Sequence, residues 1–291
     1  MDKARYVRTD MAQEQITQAS EGVTVTEETV NGFSVHRLRV NRPLSSLPPV
    51  GSYITVTLGK LWHGSDDSIS AAEELISKLL LELAAPYLTD KHCSVLAVCL
   101  GNRRIISDAV GPICSEDLIV TRHLKDEFPR LYRALGETQL SALTPGVVGE
   151  TGIETLELVL SAASRVKPNV IIAIDALAAK GIDRLATAVQ LSDAGISPGS
   201  GIGNRRRGLG RDTLGVPVIS VGIPTVVHSS TLIWNTLEAA GIDTSSDKLT
   251  QLLENGRSFF VSPTDVDIAV EFLAKLVAHA VNHAFLGISK L

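Results

Sequence analysis

The pattern of hydrophobic and polar positions changes along the chain. Over residues 22–40 the apolar positions alternate with polar ones, and Asn31-Gly32 separates two β-prone runs. Asn-Gly between such runs is a strong short-range signal for a hairpin, so an N-terminal β-hairpin is predicted. Residues 1–20 are polar and have no clear period. They are interpreted as a loose N-terminal arm that precedes a single α/β domain over residues 21–291.

Further along, short apolar runs alternate with segments of helical periodicity. Apolar runs without alternation are typical of central strands that are buried on both faces. Strands are predicted at residues 53–58, 94–100, 170–174 and 216–222, and helices at 68–85, 151–166, 182–192, 230–240 and 262–285. Strands that alternate with helices imply right-handed crossovers. The predicted fold is therefore a three-layer α/β sandwich with a central, mostly parallel sheet flanked by helices.

Two of these helices carry start signals. Thr151 and Glu154 have the spacing of a capping box, which predicts that the helix over 151–166 follows directly. Ser262 and Pro263 are typical of the cap and the first position of the last helix.

Composition narrows the function classes. The chain has 291 residues, a formal net charge of -5 and an aromatic content of 4%. Nucleic-acid-binding proteins usually show a basic balance and aromatic residues for base stacking, so direct nucleic-acid binding is disfavoured. The three cysteines have no C-x-x-C spacing, and no uninterrupted apolar run reaches the roughly 18 residues of a membrane span. We therefore expect a cytoplasmic protein with no membrane contact and no disulfide framework.

Two aspartates follow apolar runs at positions where an α/β sheet forms its site. Asp108 lies in the loop after residues 94–100, and Asp175 directly follows residues 170–174. Ligands bind beyond the carboxyl ends of parallel strands, so the two side chains can meet there. Two close carboxyl groups share a proton, so that one can activate a water as a base while the other serves as an acid. Spacing alone favours a structural role instead, with Asp108 as a helix cap and Asp175 in a structural hydrogen bond.

Other chemistry-bearing residues form weaker patterns. The histidines and cysteines lack the spacing of a zinc site, so neither a metal nor any other cofactor is predicted. The glycine-rich segment from Gly199 to Gly208 has Asn204 where a dinucleotide loop needs its third glycine. It also lacks the Gly-Lys-Ser/Thr of a Walker loop.

Several motifs occur in order between Tyr6 and about Val227. They are Val7-Arg8-Thr9-Asp10, Leu100-Gly101-Asn102, Asp108-Ala109-Val110-Gly111-Pro112, Val120-Thr121-Arg122-His123-Leu124, Pro145-Gly146-Val147-Val148-Gly149, Thr151-Gly152-Ile153-Glu154-Thr155, Ala173-Ile174-Asp175-Ala176-Leu177-Ala178-Ala179 and Ser192-Asp193-Ala194-Gly195-Ile196-Ser197-Pro198-Gly199-Ser200-Gly201-Ile202-Gly203-Asn204. Together they resemble the germination protease family. The resemblance implies a fold like that of the hydrogenase-maturation proteases and an atypical aspartic-type endopeptidase. It implies Asp108 and Asp175 as the catalytic pair. Asn102, His123 and Asp193, which lie in the same motifs, are candidate supporting residues.

The resemblance also implies a substrate and a maturation step. The family degrades small acid-soluble spore proteins when a spore germinates, so these proteins are the expected partners and the spore core is the expected location. Its members are described as homotetramers that are made as zymogens. The family cuts after an acidic residue and before a hydrophobic residue that is followed by alanine, and Asp10-Met11-Ala12 has this form. We therefore predict self-cleavage between Asp10 and Met11, which makes the arm a propeptide.

Two other functions stay open from the sequence. One is a metal-recognising maturation protease of the same fold, with acidic and histidine side chains at the strand ends. The other is a non-catalytic module that holds spore proteins or a phosphate ligand through the segment from Gly199 to Gly208.

Overall fold

The computed structural model describes residues 9–16, 18–43, 48–88, 93–197, 207–244, 246–255 and 259–288. These residues form an α/β fold around one large mixed sheet. Its strands are β1 (Val23–Val30), β2 (Phe33–Val40), β3 (Gly51–Thr57), β4 (Ser94–Cys99), β5 (Gln139–Leu143), β6 (Val170–Ala179), β7 (Ala188–Ser192), β8 (Val218–His228) and β9 (Phe260–Val261). They are arranged in the order β1-β2-β3-β7-β8-β6-β4-β5, and β9 pairs with β8.

Strand direction divides the sheet into two parts. β8, β6, β4 and β5 run parallel to one another, whereas β1, β2, β3 and β7 pair antiparallel, and β7 also meets β8 antiparallel. Asn31 and Gly32, with φ of 51° and 85°, connect β1 to β2. The prediction of a mostly parallel sheet is wrong, because the N-terminal strands join the same sheet through the antiparallel pairing of β3 with β7.

Helices lie on both faces of this sheet. They are α1 (Ala12–Gln15), α2 (Asp66–Ala84), α3 (Val110–Glu116), α4 (Leu124–Glu127), α5 (Pro129–Ala134), α6 (Val148–Thr151), α7 (Thr155–Val166), α8 (Arg211–Leu214), α9 (Ser229–Ala239), α10 (Asp247–Asn255) and α11 (Val266–Leu286). On one face, α2, α3 and α11 enclose the largest hydrophobic cluster together with the inward residues of the strands. On the opposite face, α7 and α8 contribute to a second, smaller cluster.

α11 is the helix among the described residues whose length and composition would suit a membrane span. Of its apolar 18-residue window, 67% is buried inside the protein. It packs against α2 and α3, so in this fold it is a core helix, because its apolar surface is already covered by protein.

Three helix predictions are corrected by the structure. Residues 182–192, expected to be helical, form a short 3-10 turn (Ile182–Arg184) and then β7. The helix over 151–166 is interrupted at Gly152, whose φ of 69° ends α6, and Glu154 makes no side-chain capping bond at the start of α7. The last helix begins at Val266 and not at Pro263, because Pro263 closes a turn by accepting the Val266 N–H.

The described part of the N-terminal arm is folded against the sheet. Met11, Ala12 and Ile16 are 0%, 1% and 5% exposed. They pack on the face opposite the largest cluster, where Ala12 and Ile16 contact β1, β2 and β3 residues. The expectation of a loose arm is therefore wrong for residues 9–16. The few apolar side chains of this segment pack against buried residues of the sheet, which sequence periodicity does not reveal.

Candidate active site

Asp175 lies just beyond the carboxyl end of β4, because β6 is the longer of these two paired strands. β4 ends at Cys99, which pairs with Ile174 of β6, and the Leu100 N–H donates the last bond to the Ile174 carbonyl at 2.8 Å. β6 continues to Ala179 along β8. Asp175 therefore lies inside β6 and not at its end, but it is the first β6 residue beyond the pairing with β4. Its side chain is 5% exposed.

Two glycines allow the loop after β4 to return Asp108 to the carboxyl end of that strand. Gly101 has φ of 116°, and a Cβ built there would lie 1.9 Å from the Asp108 carbonyl oxygen. The Asn102 N–H donates to both the carbonyl oxygen and Oδ2 of Asp108, each at 2.9 Å. At Gly111, a Cβ would lie 2.3 Å from the Leu100 carbonyl oxygen, so α3 starts in direct backbone contact with the end of β4. A side chain at Gly101 would therefore displace the Asp108 backbone, and one at Gly111 would displace the end of β4.

Residues of β6, of β8 and of the loop after β4 line a cavity of about 280 Å³. Asp108 and Asp175 both face it, and so does Asp10 of the arm. Its other lining residues are Leu100, Gly101, Ile105, Ser107, Gly146, Val147, Thr155, Ala176, Leu177, Ala178, Thr225, Val226 and Phe260. The fully buried Thr225 hydroxyl donates to the Ser107 carbonyl at 2.5 Å, which ties β8 to the turn that carries Asp108.

The environments of the two aspartates raise both of their pKa values. Burial raises the pKa of Asp108 to about 6, and the bond from the Asn102 N–H opposes this rise. Burial also raises the pKa of Asp175 well above its ordinary range, with further increases from the negative charges of Asp108 and Asp10. The Ala176 N–H donates to Asp175 Oδ1 at 2.9 Å and partly offsets these effects. Of the two carboxyl groups, Asp175 therefore holds a proton more tightly than Asp108, because it is the more deeply buried and has two negatively charged neighbours.

The arm binds beside this pair through its backbone. The Asp10 N–H donates to the Ala178 carbonyl at 2.8 Å, and the Ala178 N–H donates to Asp10 Oδ2 at 2.9 Å. Met11 enters an apolar pocket formed by Leu177, Ala179, Leu185, Ala188 and Val227. The carboxylate of Glu14 then accepts the N–H groups of Lys180 and Gly181 at 2.6 and 2.9 Å.

Gln190 of β7 completes this binding site, and sequence reasoning missed it. Its Nε2 donates to the Asp10 carbonyl oxygen at 3.1 Å, and its Oε1 accepts the Ala12 N–H at 2.8 Å. Gln190 is 6% exposed. The available signal was a glutamine within an otherwise apolar stretch from Ala188 to Leu191, which a helix prediction over 182–192 placed on the wrong element.

The three candidate supporting residues differ in their positions. Asn102 acts through its N–H on Asp108, while its side-chain Oδ1 accepts the Arg104 N–H at 2.9 Å. His123 is exposed before α4 and is not among the cavity-lining residues. Asp193 also lies outside that lining, since its Oδ1 accepts the Ser52 N–H at 2.6 Å and its Oδ2 lies 3.6 Å from Arg39.

The described residues provide no support for either alternative function, the metal-recognising protease or the non-catalytic binding module. Within the described ranges, no group of three or more histidine, cysteine, aspartate and glutamate side chains could hold a metal ion. Most of the glycine-rich segment from Gly199 to Gly208 lies outside the described residues.

Comparisons with known proteins agree on one family. A family model described as germination protease matches residues 2–240. The chain is 34% identical to a germination protease of Caldanaerobacter subterraneus subsp. tengcongensis, over 96% of this chain and 94% of that protein. It is 36% identical to a germination protease of Bacillus cereus and to one of Bacillus anthracis, each over 82% of this chain and 68% of the relative. The chain therefore belongs to the germination protease family, the proteases that act in spore germination.

Proposed function

We propose that this protein is an atypical aspartic-type endopeptidase that starts the degradation of small acid-soluble spore proteins. It is made as a zymogen that cuts itself between Asp10 and Met11. The observation that carries the proposal is the cavity in which Asp108, Asp175 and Asp10 come together. A pair of carboxyl groups with one proton beside a docked, substrate-like segment is the arrangement that hydrolysis of that segment requires.

The different environments of the two aspartates assign their roles. The Asp108 carboxylate takes a proton from a water molecule, and the water oxygen attacks the carbonyl carbon of the peptide bond. As the C–N bond breaks, Asp175 gives its proton to the leaving nitrogen. The products are a carboxyl group on the N-terminal side and an amine on the C-terminal side, and the proton held by Asp108 then returns to Asp175. Asp175 is assigned as the acid and Asp108 as the base because Asp175 is the more deeply buried group and has two neighbouring negative charges.

The bound arm matches the cleavage pattern residue by residue. The acidic side chain before the bond accepts the Ala178 N–H, the hydrophobic Met11 after the bond fills an apolar pocket, and Ala12 fits a closely packed site at 1% exposure. A spore protein with an acidic residue, a hydrophobic residue and alanine in that order would make the same contacts.

Occupation of the site by the arm also supports the zymogen proposal. Asp10 lines the cavity, and Met11 fills the apolar pocket beside it. A substrate cannot take these positions until the arm has left them, so the uncleaved chain is inactive toward other proteins. The homotetramer, the spore-core location and the likeness to hydrogenase-maturation proteases belong to the same proposal on resemblance alone. Light scattering of the purified chain tests the assembly.

The decisive experiment uses the full chain with Asp108→Asn and, separately, Asp175→Asn. Each variant should cleave itself and a small acid-soluble spore protein about 100- to 10,000-fold more slowly, because acid-base groups contribute that much. Intact mass and N-terminal sequencing measure the products, and Asp193→Asn is the matched control outside the cavity lining. Full activity of either active-site variant would refute the pair, and a new N-terminus other than Met11 would refute the cleavage site.

A further inference from the structure

The carboxamide of Gln190 contacts the peptide group whose hydrolysis is proposed. Its Nε2 donates to the Asp10 carbonyl oxygen at 3.1 Å, and this carbonyl belongs to the Asp10–Met11 bond. Its Oε1 accepts the Ala12 N–H at 2.8 Å. One side chain therefore binds the backbone on both sides of Met11, so the bond before Met11 is held in a defined orientation.

The fold holds Gln190 rigidly enough for this contact. It lies in the middle of β7, where it pairs with Thr55 of β3 on one side and with Gly222 of β8 on the other. Val189 and Leu191 belong to the largest hydrophobic cluster. Strand alternation then directs Gln190 to the opposite face, where the arm lies. A buried carboxamide on a central strand has few alternative conformations, so little freedom is lost when it binds a substrate backbone.

We propose that Gln190 is the carbonyl-binding residue of the active site and that it holds protein substrates by the same two bonds. This inference rests on the proposed function, because it takes Asp10–Met11 as a bond that is cut. When the water oxygen attacks, the carbonyl oxygen becomes negatively charged, and the hydrogen bond from Nε2 strengthens as that charge develops. When the C–N bond breaks, the electron pair on that oxygen re-forms the carbonyl double bond, and the leaving nitrogen takes its proton from Asp175. The Oε1 contact to the N–H two residues later recognises backbone alone, so it serves any sequence with the required side chains.

A residue that only docks the arm would make the same two hydrogen bonds. The two roles differ in how a substitution changes the cleavage rate relative to the docked fraction of the arm. A docking residue lowers cleavage only as far as it lowers the docked fraction of the arm. A carbonyl-binding residue lowers the rate of cleavage even when the arm stays docked. Hydrogen exchange over residues 9–16 measures docking, and intact mass against time measures self-cleavage.

Gln190→Glu is the first variant, tested in the full chain. The glutamate keeps an acceptor for the Ala12 N–H, and its ionised form has no donor for the Asp10 carbonyl. Because burial favours the protonated form, both chains are compared over a pH series up to about 9, where ionisation is more complete. Self-cleavage should slow about 100-fold, the effect of losing one donor to a developing oxyanion, while exchange over residues 9–16 changes little. Gln15→Met is the matched control, because Gln15 Nε2 donates to the neighbouring Thr9 carbonyl at 3.2 Å and not to the bond that is cut. It should cleave within about threefold of the unchanged chain.

Ala12→Pro removes the second bond and leaves β7 unchanged, and because Ala12 is closely packed at 1% exposure, its cleavage rate is compared with the docked fraction measured by hydrogen exchange. Proline removes the N–H that Gln190 accepts, and it suits the first position of α1 after the extended Met11, whose φ and ψ are -81° and 112°. Self-cleavage should slow about tenfold, consistent with loss of one buried hydrogen bond. The double variant with Gln190→Glu should be less than additive, because both changes act on one interaction.

The outcomes separate this inference from the proposed function. If Asp108→Asn abolishes cleavage while Gln190→Glu and Ala12→Pro both cleave within about threefold of the unchanged chain, the role of Gln190 is refuted and the carboxyl pair stands. A fall in cleavage that only matches the fall in docking also refutes it. If Asp108→Asn retains full cleavage, the proposed function itself fails. Should Gln190→Glu not fold, Ala12→Pro alone decides, because it leaves β7 intact.

Discussion

Asp108→Asn should stabilise the fold while it removes activity. The pKa of Asp108 rises from an ordinary value of 3.8 to about 6, mainly through burial. The folded protein therefore still holds this proton between about pH 4 and pH 6, where the unfolded chain has already released it. For an acid with a raised pKa, stability falls as pH rises across this window and stays lower above it. Asparagine has no proton to release and can still accept the Asn102 N–H.

The size of the effect follows from the same shift. Each pKa unit corresponds to about 1.4 kcal/mol, so ionisation of Asp108 costs the folded state up to about 3 kcal/mol above pH 6. Water entering the cavity reduces this cost, and a neutral acceptor binds the Asn102 N–H less strongly than a carboxylate does. We therefore expect Asp108→Asn to raise the free energy of unfolding by about 1–3 kcal/mol at pH 8 and to leave it unchanged at pH 4.

Urea unfolding of the uncleaved chain at several pH values between 4 and 8 measures this difference. Intact mass before and after each titration confirms that the chain is uncleaved. Asp193→Asn is the control, because it loses the contact with Arg39 and should not be stabilised at any pH. A stability difference that does not change with pH, or Asp108→Asn being less stable at pH 8, would show that burial does not destabilise the Asp108 carboxylate.

Further predictions test the kinetics, the loop after β4 and the arm. The self-cleavage rate of the full chain should rise with an apparent pKa near 6 as Asp108 ionises, and fall at higher pH as the second carboxyl group loses its proton. A profile without the acidic limb would contradict the role of Asp108. Gly101→Ala should abolish cleavage, because its Cβ would overlap the Asp108 carbonyl, whereas Gly152→Ala meets no atom within 4 Å and should cost only about 1 kcal/mol in urea unfolding. Met11→Ala should speed hydrogen exchange over residues 9–16 at least tenfold, while Leu252→Ala, at a position 63% exposed, should leave it unchanged.

Some of the fold was predictable because its signal is local. The apolar runs that became β4 and β6 are long enough and uniform enough to indicate buried strands without any knowledge of their neighbours. β7 was not predictable in this way. It has five residues, one of which is Gln190, and its identity as a strand depends on pairing with β3 and β8. The break between α6 and α7 depends on one glycine with positive φ, a choice that helical periodicity cannot detect.

The candidate active site likewise has parts with a local sequence signal and parts without one. Motifs in a specific order are enough to indicate the family, and the apolar runs before Asp108 and Asp175 are enough to indicate that both residues follow strands. That the two aspartates share a cavity follows from tertiary structure, because parallel pairing of β4 with β6 brings distant segments together at the carboxyl ends of the strands. It also places Asp10 in this cavity and Met11 in the apolar pocket beside it, with Gln190 bound to the Asp10 carbonyl and the Ala12 N–H. These contacts join residues about 170 to 180 positions apart, and no local pattern of hydrophobicity or spacing specifies which distant backbone a buried side chain will meet.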